Sequence, residues 1–157
     1  MYYNCPRHGV PMAEITYDYG DETVVITGAS SGIGRATAMR FGAAGATVVN
    51  ADLREEPKDD NAETPTHVAI EDAGGTARFV RTDVTDPAEV QAVIEAAHEF
   101  GGVDIMVNNA ATHYTGSFLD VDPDELDRLL SVNVRGVLVG SQAAARDMIE
   151  RDKSGVI

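Results

Sequence analysis

The sequence predicts an α/β protein built on a parallel sheet, and three observations carry that prediction. A glycine-rich turn, TGASSGIG at residues 27–34, separates a β-branched run, Val24, Val25 and Ile26, from a helical pattern that opens at Ile33. The next β-rich run ends at Asp52, eighteen residues after Gly34. Further apolar runs then alternate with helical patterns to the end of the sequence. Strand, loop, helix, strand and acid in that order describe a dinucleotide-binding unit. Glycine tolerates positive φ and lacks a Cβ, so Gly28, Gly32 and Gly34 let the backbone turn sharply and let phosphates approach it. The helix behind the turn offers free N–H groups and the positive end of its dipole to that anion.

Taken in order, residues 1–22 show no sustained periodicity and are expected to be a mobile leader apart from the last few, with Met12 as an alternative start. The first strand is expected at Thr23–Thr27, apolar on both faces as a central parallel strand should be. A helix from Ile33 to about Ala44 would lay Ile33, Ala36, Ala43 and Ala44 against the sheet as a small-residue face, with Gly45 as its stop. Thr47–Ala51 is the second strand, and the acidic stretch Leu53–Glu63 reads as a solvated loop. Thr64 and Pro65 start a helix that Gly74 and Gly75 end; Phe79 and Val80 then mark a third strand closing at Asp83-Val84. The next helix has Asp86 as cap, Pro87 in first position and Val90, Val93, Ile94 and Ala97 on one face, stopped by Gly101 and Gly102.

Asp104–Asn108 is the fourth strand. Asp122, Pro123 and Glu125 form a capping arrangement for a long helix to about Arg151, striped by Leu126, Leu129, Leu130, Val137, Ala144 and Met148. Asn133 falls four residues after Leu129 and four before Val137, which puts an amide on the buried face. Such an amide needs partners. Spacing alone leaves open whether it pins the helix or serves a function. Val156 and Ile157 read as the start of a fifth strand.

Composition narrows the function. The 157 residues are one domain's worth, and 43% of them are hydrophobic, enough for a core. No apolar stretch reaches the length of a membrane span and no signal-peptide pattern opens the chain, so a soluble cytoplasmic protein is expected. Cys5 is the only cysteine, so it has no disulfide partner within the chain and, with Pro6, Arg7 and His8 beside it, lacks the further ligands of a metal site. The net charge of −14 argues against nucleic acid as a partner. Because the acids are spread along the chain, they suit a surface adapted to high salt. The melting temperature should therefore rise in molar salt, and a fall would remove that halophilic reading.

Through these motifs the chain resembles the N-terminal part of a short-chain dehydrogenase/reductase over roughly Thr23 to Ile157. The matches are TGASSGIG, Asp52, Asp83-Val84, Asn108-Asn109-Ala110 and Asn133 within SVNVRG. The resemblance implies a Rossmann doubly wound parallel sheet, here with four strands and the start of a fifth. It implies that Gly28, Ser30, Ser31, Gly32, Ile33 and Gly34 wrap a cofactor pyrophosphate. Asp52, with Leu53 beside it, would accept from the adenine ribose. Asp83 and the Val84 backbone would contact adenine, and Asn109 and Ala110 would line the cofactor. Asn133 would be the catalytic-helix asparagine that holds a proton-relay water. One departure is Ala111, where the family usually has glycine; if that position needs positive φ, alanine is strained by roughly a kcal/mol. His113 and Tyr114 come next in the chain, with a loop-surface role expected.

Asp52, Glu55 and Glu56 would repel a 2′-phosphate, Arg54 would attract it, and Ser31 is neutral, so NAD is expected ahead of NADP. The family's hydride transfer between nicotinamide and an alcohol or ketone depends on a Tyr-x-x-x-Lys pair, because a phenol with a pKa near 10 is a poor base without a nearby cation. The tyrosines are Tyr2, Tyr3, Tyr17, Tyr19 and Tyr114, and neither Lys58 nor Lys153 lies four residues after any of them. The family's serine also has no match. The chain thus reads as a truncated dehydrogenase, inactive alone, whose unpaired fourth-strand edge and long helix invite self-association. A noncatalytic dinucleotide-binding module pairing with another polypeptide, or a degenerate product, are the alternatives.

Overall fold

Val24, Val25 and Ile26 have no surface exposure, as a strand covered on both faces requires. The computed structural model describes residues 17–60 and 62–157, so residues 1–16 of the expected 1–22 leader, with Tyr2, Tyr3, Cys5 and Met12, lie outside the described residues. Four parallel strands, β1 (Thr23–Thr27), β2 (Thr47–Asp52), β3 (Thr76–Arg81) and β4 (Ile105–Val107), stand in the order β3-β2-β1-β4. Val25 faces Val49 on one side and Met106 on the other. The third strand ends at Arg81, so Asp83 and Val84 stand in the loop beyond it rather than closing it. The expected fifth strand is present as one parallel bridge, Val156 to Ile105.

Because side chains alternate along a strand, Val24 and Ile26 enter one layer and Val25 the other. Val24, Ile26 and Val48 pack with Ala38 of α1 (Gly32–Ala43) and Ile70 of α2 (Thr66–Asp72). Val25 and Val49 pack with α3 (Pro87–Ala97) and with Ala143, Ala144 and Met148 of α5 (Val137–Glu150). The third helix matches its sequence pattern closely. Asp86 caps it by accepting from the Ala88 N–H at 2.8 Å, and Val90, Val93, Ile94 and Ala97 are all buried.

The packing face of α1 differs from the expected one. Ile33 is 79% exposed and Ala36 and Ala43 face outward, while Gly34, Ala38 and Gly42 form the buried row. The reason is steric. The helix lies so close to its neighbours that a Cβ on Gly42 would come within 2.7 Å of Ile70 Cγ2. Only residues without bulk fit that row, and apolarity does not select it.

The long helix also departs from a straight stripe. Between α4 (Pro123–Leu130) and α5 runs a π-helical segment, Ser131–Gly136. Its extra residue rotates the face presented by α4 relative to the face presented by α5. Leu126, Leu130 and Val137 are therefore exposed to a third or more, while Gly136, Gly140, Ala144 and Met148 continue one buried row. At the start of α4, Asp122 accepts from the Asp124 N–H, but Glu125 turns to Arg128 instead of closing a reciprocal box. That guanidinium holds the Glu125 carboxyl below its ordinary range.

Candidate dinucleotide site

The first strand connects to β2 on one side, whereas β4 lies on its other side, so the loops leaving β1 and β4 diverge and open a crevice at the C-terminal strand ends. A cavity of about 510 Å³ lies there. Gly28, Ser31 and Gly32 line it from the glycine-rich turn, Asp52 and Leu53 from the end of β2, and Asp83 and Val84 from beyond β3. Asn109 and Ala110 line it from the end of β4. Its volume is in the range of small-molecule and cofactor pockets.

The turn is built for close approach. Gly28 has φ +69°, and a Cβ there would meet Ala110 Cα at 2.9 Å. Gly32 has φ +56° with nothing within 4 Å of where a side chain would begin, so the turn is open on that side although the Gly32 N–H itself is bonded to Asp59. Asn109 clamps the turn: its side-chain amide donates to the Thr27 and Gly28 carbonyls at 2.9 and 3.1 Å, and the Asn109 and Ala110 N–H groups both donate to Thr27 Oγ1 at 3.0 Å. Asp52 accepts from the Ser30 N–H at 3.0 Å, which holds its carboxylate at the mouth of the cavity.

Three residues of the expected pyrophosphate set do not line the cavity. Ser30 is buried, its hydroxyl donating to the Arg54 carbonyl at 2.7 Å and accepting from Asn50 at 3.2 Å, so it ties β2 and the loop after it to the turn. Ile33 points away from the core, and Gly34 packs beneath Gly28. Asp83 uses one carboxylate oxygen to accept from the Thr85 N–H and hydroxyl.

Asn133 is exposed, not buried as the spacing indicated, because it sits in the π segment. Its amide accepts from the Thr112 N–H and donates to the Thr112 carbonyl, both at 2.8 Å. Arg128 adds a hydrogen bond to the Thr112 hydroxyl at 2.5 Å, so two helical residues hold the loop beyond β4. Ala111 is unstrained: the only non-glycine residue with positive φ among those described is Asp152. Tyr114 is 37% exposed on that loop.

Sequence reasoning missed three charged lining residues. Arg128 reaches the cavity from α4, and Lys58 and Asp59 reach it from the Leu53–Glu63 stretch, which is a loop but not a merely solvated one. The Lys58 N–H donates to Ser31 Oγ at 2.6 Å and the Gly32 N–H donates to Asp59 Oδ2 at 2.9 Å. No local pattern marks such contacts, since they join residues 27 apart in sequence.

Sheet order, switch point and glycine cradle together define a Rossmann-type α/β protein. The family described as short chain dehydrogenase matches residues 22–157, and the chain belongs to it. It is 40% identical over 140 residues to a probable oxidoreductase, EphD, of Mycobacterium tuberculosis, covering 88% of this chain and 23% of that protein. It is 41% identical to 3beta-hydroxysteroid dehydrogenase 1 of Eggerthella lenta, covering 89% of this chain and 52% of that protein. Among solved structures, a short-chain type dehydrogenase/reductase from Mycobacterium marinum superposes with a TM-score of 0.80 at 34% identity, over 90% of this chain and 56% of that one. A Burkholderia cenocepacia short chain dehydrogenase in complex with NADP gives 0.71 at 39% identity, over 82% and 51%. The chain thus spans from about a quarter to about half the length of these relatives. The family uses nicotinamide cofactors. Among the described residues no helix is long and apolar enough to cross a membrane.

Proposed function

We propose that these residues form the cofactor-binding part of an NAD(P)-dependent oxidoreductase acting on an alcohol or carbonyl compound. The observation that carries the reading is the cavity at the switch point, where open glycine backbone and a fixed carboxylate, Asp52, face one space. The residues fit a dinucleotide. Gly32 leaves room for a pyrophosphate beside the first N–H groups of α1, Gly28 lets Ala110 and Asn109 close against the turn, and Asp52 retains acceptor capacity for a ribose diol beyond its bond to Ser30. When bound, the nicotinamide would supply the hydride chemistry. The chain's own residues would bind and orient it, with Asn109 holding the turn and Asn133 acting through Thr112 on the loop beside it.

NAD is proposed ahead of NADP, because a 2′-phosphate would meet the Asp52 carboxylate; Lys58 lines the cavity as an opposing charge. Proton transfer is proposed to require groups outside these 157 residues. Among the described residues Lys153 pairs with Asp104 at the far end of the sheet and Tyr114 has no lysine four residues on.

Calorimetry with NAD and NADH on the folded chain tests the proposal. Saturable binding is expected, weakened roughly tenfold or more by Asp52→Ala, as loss of a hydrogen bond to a charged group implies. Absence of saturable binding to either nucleotide would overturn it. Turnover of an alcohol by the chain alone would overturn the need for outside groups.

A further inference from the structure

We propose that the Leu53–Asp60 stretch is a strap that closes the dinucleotide site from within, with the Asp59 carboxylate standing where a cofactor phosphate would bind. The inference rests on the dinucleotide reading and concerns the regulation of that same site. Gly32 is the first residue of α1, and its N–H is one of the donors left free by the helix geometry. That donor already has an anionic partner, Asp59 Oδ2 at 2.9 Å. One residue earlier, Ser31 Oγ accepts from the Lys58 N–H at 2.6 Å. The two anchors are consecutive on the strap and consecutive on the turn, and all four residues line the cavity.

A carboxylate at a helix N-terminus gains from the same dipole and the same N–H group that a phosphate uses. The two anions cannot share the Gly32 N–H, so a pyrophosphate that takes this donor displaces Asp59 and lifts the strap. The strap is tied down at its start, where Ser30 Oγ donates to the Arg54 carbonyl at 2.7 Å and Glu55 pairs with His67 of α2 at 3.2 Å. Lifting at Lys58 and Asp59 therefore leaves β2 and α2 in place. Nucleotide affinity is lowered by the fraction of molecules in which the strap is closed.

Asp59→Asn keeps the shape of the side chain and removes its charge. It should tighten NADH binding roughly threefold to tenfold by calorimetry. Glu56→Gln and Asp60→Asn remove one charge each from the same loop, and among the described contacts neither side chain bonds Gly32; they should change affinity by less than about twofold. In the nucleotide-free protein, hydrogen exchange of the Gly32 amide should speed up in Asp59→Asn alone. Equal tightening in all three variants would replace the strap with a general charge effect. Unchanged binding by Asp59→Asn, with the wild-type chain binding normally, would refute the competition and leave the cofactor reading standing. If no form binds NAD or NADH, the cofactor reading fails and the competition fails with it, even where the Gly32 amide responds.

Discussion

Replacing Gly34 with alanine should destabilise the protein by about 3 kcal/mol or more, the upper end of what overpacking a dense interior costs. The added Cβ would lie 2.1 Å from the Gly28 carbonyl oxygen and 2.5 Å from Asn109 Nδ2. Neither neighbour can yield alone. The Gly28 carbonyl belongs to the turn, and the Asn109 amide already donates to Thr27 and Gly28. The substitution would push α1 off the turn, unclamp β1 from the end of β4 and distort the cavity in one step. Gly32→Ala makes the contrasting control. Its side chain would enter open space, so its cost is the strain of φ +56°, about 1–2 kcal/mol. Denaturant midpoints should rank wild type above Gly32→Ala and Gly32→Ala above Gly34→Ala. A Gly34→Ala protein as stable as wild type would mean that α1 does not lie against the turn as described.

Asp147→Ala should be comparably severe, about 3–5 kcal/mol, the cost of removing one partner from a buried ionic cluster. Asp147 is 5% exposed on α5. Its carboxylate accepts from the Val103 N–H at 2.8 Å, contacts His98 Nε2 at 2.6 Å and pairs with Arg151 Nε at 2.9 Å. One side chain thereby joins the turn after α3, the segment leading into β4 and the residue that follows α5. Arg151 also bonds the Gly101 and Val103 carbonyls and approaches Asp104, itself bonded to the Thr23 N–H. Alanine would leave the Val103 N–H without its acceptor and Arg151 without its closest carboxylate.

The same cluster sets an acid limb. Burial acts to raise the Asp147 carboxyl, but the Val103 N–H, His98 and Arg151 outweigh it, and the net shift is below the ordinary value of 3.8. A depressed folded-state pKa contributes stability above the unfolded value, lost as pH falls through the folded one. Stability should therefore decline from about pH 4 downward, and Asp147→Asn should lose much of that slope while starting from a lower plateau. An unchanged slope in the variant would assign acid sensitivity to other carboxylates.

The residues that were legible from sequence are those whose signal is local. The glycine-rich turn, the β-branched strands and the Asp86-Pro87 helix start each record a backbone requirement that one short stretch satisfies by itself. The α3 face was legible because the helix is regular and one-sided. The α1 face was not: Gly34, Ala38 and Gly42 are buried because a backbone passes close by, and a periodicity weighted by apolar bulk ranks Ile33 above them. Asn133 was misplaced for a related reason, since a π segment shifts the phase of the helix and nothing in SVNVRG announces it.

By itself, then, the sequence determined the α/β class, the order of the elements, the family and the place where β1, β2 and β4 converge on a glycine cradle. The tertiary structure alone decided which side chains enter that space. Ser30 turned out to tie the loop down, Arg128 to reach in from α4, and Asp59 to cross from a distant loop onto Gly32. Strand and helix propensities act over a few neighbouring residues. A contact between residues 27 apart depends on the path of everything between them, which exists only once the chain has folded.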